Sequence, residues 1–327
     1  MAALRHSVLV ADSMDATAVA LLQKEATVIV EEVPPAQLIS RLVGMSGLLV
    51  RSRTKVNAEV IAKAPSLKVI GRAGVGIDNI DVEAATKAGI AVVNAPTAST
   101  TAVAELTIGH LLSMARYLPR AHATTAAGKW DKKTLQGTEL AGKTLGFVGL
   151  GRIGAAVALR AQAFGMRTIA YDPYLAAQRA AELEVGLVGL AQLLAESDYL
   201  TIHAMLTDET RNLLDAKAFA QMKPTAAVVN CARGGIIDEQ ALLEALDGGR
   251  LRAAALDVFA KEPPTDQRLL THPHVVLSPH IGASTDEAQV VAAQITAEGV
   301  LAVLRGQTPA HCVNAQVLPR HQPNVAP

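Results

Sequence analysis

The chain has 327 residues, half of them hydrophobic and 18% charged, with 30 Lys and Arg balanced by 30 Asp and Glu. That length exceeds one comfortable core and predicts two domains, while the even charge gives no electrostatic reason to expect nucleic acid or an anionic membrane as a partner. Two cysteines, Cys231 and Cys312, are too few for a disulfide framework or a Cys-rich metal site, so no metal is expected.

The N-terminus, MAALRHSVLVADSMD, carries too short an apolar run for a signal peptide, and no stretch reads as long enough to span a bilayer. A soluble cytoplasmic protein is the expectation. The first hundred residues then alternate short apolar runs with helical patterns. Val8 to Ala11, Val28 to Val30, Leu48 to Val50, Val69 to Ile70 and Ala91 to Val93 predict strands; Ala16 to Lys24, Pro35 to Val43, Ala58 to Ala64 and Val82 to Ala88 predict helices. Such alternation means a parallel sheet covered on both faces. Ala102 to Ala115 is a long proline-free apolar stretch, read as a helix crossing from one domain to the other. The polar segment Ala121 to Leu140 holds the one tryptophan, Trp130, and reads either as a contact with another subunit or as a solvated connecting loop.

Thr144 to Pro173 organises the rest. A short apolar run, Leu145 to Val148, meets Gly149-Leu150-Gly151-Arg152-Ile153-Gly154; an alanine-rich helical run follows, and a second apolar run, Thr168 to Tyr171, ends in Asp172. This is strand, glycine turn, helix, strand, acid. Gly149 allows the tight turn, Gly151 removes a side chain that would hold the backbone away from a pyrophosphate, and Gly154 lets helix and strand pack closely. Asp172 comes about 20 residues after the glycines, where a carboxylate can accept bonds from both ribose hydroxyls and repel a 2′-phosphate. The expected cofactor is NAD rather than NADP, and Tyr174, not an arginine, stands two residues past the acid, where a phosphate-binding residue would be expected.

Alternation resumes with strands expected at Tyr199 to His203, Ala227 to Asn230, Ala253 to Val258 and Val275 to Leu277, and helices at Leu190 to Glu196, Ala216 to Met222 and Glu239 to Leu246. Thr285 to Leu304 predicts a final long helix with an N-cap and first-turn acids at its start. The chain is therefore expected to leave a first domain, build a second and return: 1–99 and 285–327 for substrate, 100–284 for the nucleotide. The tail Pro319 to Pro327 is expected to fray.

Ligands of open parallel sheets bind beyond the carboxyl ends of the strands, so ionisable residues just past predicted strands are the candidates for chemistry. Arg233 precedes Gly234-Gly235 and suits a substrate carboxylate or a carbonyl gaining charge. Glu262 and His280 each follow a strand; a carboxylate behind an imidazole can fix one tautomer and support proton transfer. In the first domain, Arg51-Ser52-Arg53 offers positive charge for a second anionic group, with an internal salt bridge as the alternative. Arg72 to Asn79 forms a glycine-containing nest whose amides suit a carboxylate.

The blocks VRSRTKV, GRAGVGIDNID, GTELAGKTLGFVGLGRIG, NCARGGIIDE, ALDVFAKEPP, SPHIGAST and VNAQVL stand in one order from about Leu48 to about Leu318. In this the chain resembles the D-isomer-specific 2-hydroxyacid dehydrogenases, and within them the phosphoglycerate dehydrogenase branch in a form without a C-terminal regulatory domain. The resemblance implies an α/β protein of two doubly wound parallel-sheet domains, a flavodoxin-like substrate domain and an inserted Rossmann NAD-binding domain. It implies a catalytic triad of Arg233, Glu262 and His280. The implied cofactor contacts are Gly149, Gly151, Arg152, Ile153, Gly154, Asp172, Thr207, Cys231, Asp257 and His280, and the implied substrate contacts are Arg51, Val75, Gly76 and Arg233. It also implies a homodimer with Trp130 in the contact, and NAD-dependent oxidation of 3-phospho-D-glycerate to 3-phosphohydroxypyruvate for serine biosynthesis. Two alternatives stand beside this: a glyoxylate or hydroxypyruvate reductase, and an NAD-sensing binding protein like the family's co-repressors. Met205, Ser99 and Val75 depart from the family pattern, where proline, asparagine and threonine are common.

Overall fold

A computed structural model describes residues 6–318, which fall into two compact units, the described parts of Met1–Ser99 with Ala283–Pro327, and Thr100–Gly282. The tail from Pro319 lies outside the described residues. The first unit runs β1 (Ser7–Val10), α1 (Ala16–Gln23), β2 (Thr27–Val30), α2 (Leu38–Arg41), β3 (Gly47–Val50), α3 (Ala58–Ala62), β4 (Val69–Arg72), α4 (Val82–Lys87) and β5 (Ala91–Asn94). The second opens with α5 (Thr100–Arg116) and α6 (Leu118–Ala126), then alternates β6 (Thr144–Val148), α7 (Arg152–Ala163), β7 (Arg167–Tyr171), α8 (Ala177–Glu182), β8 (Gly186–Leu187), α9 (Leu190–Glu196), β9 (Tyr199–Ile202), α10 (Ala216–Gln221), β10 (Ala227–Asn230), α11 (Glu239–Asp247), β11 (Ala253–Leu256), α12 (Gln267–Leu270) and β12 (Val275–Leu277). The chain returns to the first unit as α13 (Asp286–Leu304).

Both sheets are wholly parallel. The first has the order β2-β1-β3-β4-β5, a flavodoxin-like arrangement, with Leu9 opposite Leu48 and Leu48 opposite Ile70 in register. Its inner strands are apolar because helices cover both faces. Leu9, Leu48, Val50 and Ile70 line one core, while Val8, Leu49 and Val69 line the other with Val300 and Leu304 of α13. Each such side chain contributes about 1.5–3 kcal/mol by leaving water. Gly71 is small because α13 lies against it: a Cβ there would come within 2.7 Å of the Thr296 and Val300 side chains.

The second sheet reads β12-β11-β10-β9-β6-β7-β8, a Rossmann order extended by one strand, so the order reverses between β6 and β9. β6, β9, β10 and β11 are buried along their whole lengths. Asp215, Asp238 and Asp266 cap α10, α11 and α12 by accepting from backbone N–H groups, each worth about 1 kcal/mol. α7 differs: Gly151 occupies its N-cap and no side chain closes it.

Three sequence expectations change. The apolar stretch at Ala102 lies wholly in the second unit as α5 and does not cross out of it. The polar segment from Ala121 is helical through Ala126 at its start; α6 buries no residue, so nothing apolar in its sequence announced it. Finally, α13 is long and apolar enough, by length and composition, to cross a membrane. Its apolarity serves the first unit's core, where Ala293, Ala297, Val300 and Leu301 are buried.

Candidate active site

The site of the second unit forms where parallel strands end, beginning with the glycine turn after β6. Gly149 has φ +84° and donates its N–H to the Tyr171 carbonyl at 2.9 Å, tying the turn to β7. A Cβ on Gly149 would stand 2.8 Å from the His203 carbonyl oxygen, and one on Gly154 would stand 2.8 Å from the Gly149 oxygen. A Cβ on Gly151 would meet nothing within 4 Å. The protein's own packing therefore requires the first and third glycines, whereas the second faces open space that a ligand can use. Arg152 is exposed and Ile153 half-buried in the first turn of α7, whose leading amides no side chain caps.

Asp172 lies at the end of β7, half-buried. One carboxylate oxygen accepts from Leu150 N–H inside the glycine turn at 2.9 Å, the other from Tyr174 N–H at 3.0 Å. Each oxygen keeps a further lone-pair site for a hydroxyl. The Tyr174 hydroxyl donates to Glu209 at 2.7 Å, and that bond pushes the phenol pKa up. An uncapped helix start, an open Cβ position and a carboxylate beside them fit a dinucleotide with free ribose hydroxyls.

At the other half of the sheet, His280 follows β12 and Glu262 follows β11. His280 Nδ1 lies 2.8 Å from Glu262 Oε2, and Glu262 Oε1 accepts from Phe259 N–H at 3.2 Å. Both side chains are partly exposed, at 51% and 39%, so the pair is open to a substrate. His280 has φ +54°, a backbone conformation that a non-glycine residue adopts only when its surroundings enforce it. The enforcing group is Asp257, 1% exposed at the end of β11. Its carboxylate accepts from the Ser278 hydroxyl at 2.6 Å, Ile281 N–H at 2.9 Å and Gly282 N–H at 2.8 Å. Ser278 in turn contacts Nε2 of buried His110, on α5, at 3.0 Å. Burial pushes the His110 imidazole down, with the Asp257 charge acting in the opposite sense.

Arg233 lies between these halves, after β10. Buried Asn230 folds its loop: the side-chain amide donates to the Arg233 carbonyl at 2.9 Å and its oxygen accepts from Ala232 N–H at 3.0 Å. Arg233 Nη1 donates to the Ala232 carbonyl at 2.7 Å. A Cβ on Gly234 would come 1.8 Å from the Phe259 carbonyl oxygen, so the arginine loop lies directly against the loop that leads to Glu262. This is why glycine follows the arginine.

Thr207 is exposed in the loop after β9 and is hydrogen-bonded through its N–H and hydroxyl to Thr210; Met205 is also exposed. Cys231 is buried, which pushes its thiol up to about 12 and removes it as a nucleophile. His203 is half-buried as a residue, but its ring is packed away and pushed down to about 3, so it is neutral at ordinary pH.

In the first unit, Asp12 is 3% exposed and accepts from Arg51 N–H at 2.6 Å, Arg53 Nε at 2.9 Å and the Thr54 hydroxyl at 2.7 Å. The internal salt bridge weighed for this loop is therefore present for Arg53. Asn79 clamps the same loop by donating to the Arg51 and Thr54 carbonyls. Val75 and Gly76 are half-buried, and the Val75 carbonyl accepts from Asn94 at 2.7 Å. Ser99 is buried just before α5.

Sequence reasoning overlooked Asn230, Asp12, and the His110 and Ser278 pair. It reached Asp257 only as a cofactor contact, whereas its carboxylate is committed to the histidine loop. Asn230 and Asp257 did offer one signal, a polar residue closing an apolar strand.

A family model described as "D-isomer specific 2-hydroxyacid dehydrogenase, NAD binding domain" matches residues 108–282. D-3-phosphoglycerate dehydrogenase from Methanocaldococcus jannaschii is 49% identical over 317 residues, 96% of this chain and 60% of the relative. The protein of that name from Synechocystis is 46% identical over 94% of this chain and 56% of its own length. The chain thus spans about three fifths of the length of these curated relatives. Among solved structures, a protein from Thermus thermophilus aligns with a TM-score of 0.87 at 38% identity, covering 94% of this chain and 99% of that one. A glyoxylate reductase from Paecilomyes thermophila gives a TM-score of 0.88 at 30% identity over 96% of this chain and 99% of that one.

Proposed function

This chain belongs to the D-isomer specific 2-hydroxyacid dehydrogenase family, its second unit being that family's NAD-binding domain, and from that premise we propose that it oxidises 3-phospho-D-glycerate to 3-phosphohydroxypyruvate. The observation that carries the chemistry is the 2.8 Å contact between His280 Nδ1 and Glu262 Oε2 at the strand ends of a nucleotide domain. With Glu262 accepting from Nδ1–H, Nε2 is the atom left to take the C2 hydroxyl proton during oxidation, or to return it during reduction. The carboxylate stabilises the imidazolium that proton uptake creates. Arg233 presents a guanidinium that orients the substrate carboxylate bidentately and offsets charge on the C2 oxygen. NAD, when bound, supplies the hydride acceptor.

The glycine turn, Arg152, Ile153 and Asp172 would hold that cofactor, with Thr207 and Cys231 beside it; Asp172 favours NAD over its 2′-phosphorylated form. Val75 and Gly76 supply amides for the substrate carboxylate. Arg51 is assigned to the phosphate, because Asp12 already neutralises Arg53 in the same loop. The similarity to named phosphoglycerate dehydrogenases supports this substrate and a role in serine biosynthesis; the same proposal places the protein in the cytoplasm as a homodimer, with exposed Trp130 in the contact. A reductase acting on glyoxylate or hydroxypyruvate is the second reading, supported by the solved glyoxylate reductase of like fold.

Initial rates of NADH appearance with 3-phosphoglycerate, and of NADH loss with glyoxylate and hydroxypyruvate, decide between the two. A kcat/KM for the phosphorylated acid at least tenfold above the others is the expected result. The reverse order transfers the assignment to the reductase, and Arg51→Ala should then leave the preferred substrate unaffected.

A further inference from the structure

The loop that carries His280 is held by a second device, independent of Glu262. Hydrogen accounting gives it a direction. An ionised carboxylate only accepts, so the Ser278 hydroxyl spends its single hydrogen on Asp257 Oδ1 at 2.6 Å. The Ser278 oxygen must then accept from His110, which places a hydrogen on His110 Nε2, 3.0 Å away. The chain runs from α5 through the loop to the end of β11.

Its target is the backbone on both sides of His280. Asp257 collects Ser278 before the histidine and Ile281 and Gly282 after it. His280 sits between them at φ +54°. His110 and Asp257 are 4% and 1% exposed, so bulk water is not at hand to replace a lost partner.

We propose that His110 and Ser278 are positioning residues for His280, acting through Asp257, and that they set where its Nε2 stands. This rests on the reading of His280 as the acid/base group. A displacement of about 1 Å at a reacting atom costs on the order of 10²-fold in rate, so a part-buried hydrogen bond on the loop's anchor reaches turnover without touching substrate. The plain alternative is a histidine that merely fills space in the core between α5 and the sheet.

Three variants separate these: His110→Leu, which keeps bulk without a donor; His110→Gln, which restores an N–H; and Ser278→Ala, which removes one oxygen. The parent is assayed first with the three acids named above. If it turns over none of them, the dehydrogenase reading fails, and amide hydrogen exchange of the cofactor-free protein judges positioning on its own. Exchange at Ile281 and Gly282 should accelerate about tenfold in His110→Leu and Ser278→Ala, return towards the parent in His110→Gln, and stay unchanged in α7. In parallel, kcat should fall about tenfold while the NADH dissociation constant stays within twofold, with His110→Gln recovering most of the loss. Parental exchange in Ser278→Ala, or a glutamine variant as impaired as the leucine one, overturns the proposal. Should His110→Leu fail to fold, Ser278→Ala decides.

Discussion

The glycine turn after β6 and the histidine loop after β12 leave the same edge of one sheet and are built by opposite means. The turn is made of backbone. Gly149 and Gly154 are dictated by carbonyls 2.8 Å from where a Cβ would stand, and Asp172, which accepts from Leu150 N–H in the turn, lies within the same strand-helix-strand unit. The loop is made of side chains: Asp257 and Glu262 hold it from the preceding strand end, about as near in sequence as Asp172 is to its turn, and His110 adds, through Ser278, a tie from α5, 168 residues away. Glycines required by packing stand as a spaced local motif, whereas a contact such as His110 with Ser278, 168 residues apart, leaves none. In the proposed reaction the first region would hold the cofactor and the second would move the proton.

Replacing His280, the proposed acid/base group, should give the largest separation between them. His280→Ala should lower kcat by about 10²–10⁴-fold while NADH still binds, as measured by steady-state rates and fluorescence titration. Comparable loss of NADH binding would mean the two regions are not separate. Within the turn, Gly149→Ala should destabilise the protein by about 2–4 kcal/mol in urea unfolding, because it adds a Cβ at φ +84° against the His203 carbonyl. Gly151→Ala should leave unfolding within about 0.5 kcal/mol of the parent and weaken NADH at least tenfold. Equal stability losses for the two alanines would erase the distinction between a glycine required by packing and one required by a ligand.

The smallest effect concerns His203, whose carbonyl abuts the turn. Its folded pKa of about 3 lies below the unfolded value of 6.5, so below pH 6.5 the unfolded chain binds the extra proton and stability falls as pH drops towards 3. Between pH 7 and pH 5 this amounts to at most about 2 kcal/mol. His203→Gln should flatten that part of the urea-unfolding profile against pH; an unchanged slope would show that the ring is more solvated than its packing implies.

Both sheets were legible in the sequence because strands buried on two faces are apolar runs, as at Leu145–Val148 and Leu48–Val50, and the helices between them carry their own period. The ends of the strands were less so: β9 and β11 stop before His203 and Asp257, whose buried polar groups meet neighbours no local pattern reveals. α6 escaped notice because a helix that buries nothing has no apolar stripe. At the site, Gly149, Gly151, Gly154 and Asp172 were readable from spacing, and Glu262 and His280 from their place after strands. Asp12 and His110 were not, since each is defined by a partner at least 39 residues away.

The way α13 closes the first unit has a consequence for biosynthesis. The second unit is one uninterrupted segment and can fold as soon as residue 282 has left the ribosome, whereas the sheet of β1–β5 waits for a helix made after it. Until then Val8, Leu49, Val69 and Val93 face water or a chaperone, so a ribosome that stalls between β12 and α13 releases a nascent chain with a finished nucleotide domain and a sticky, half-clad lobe.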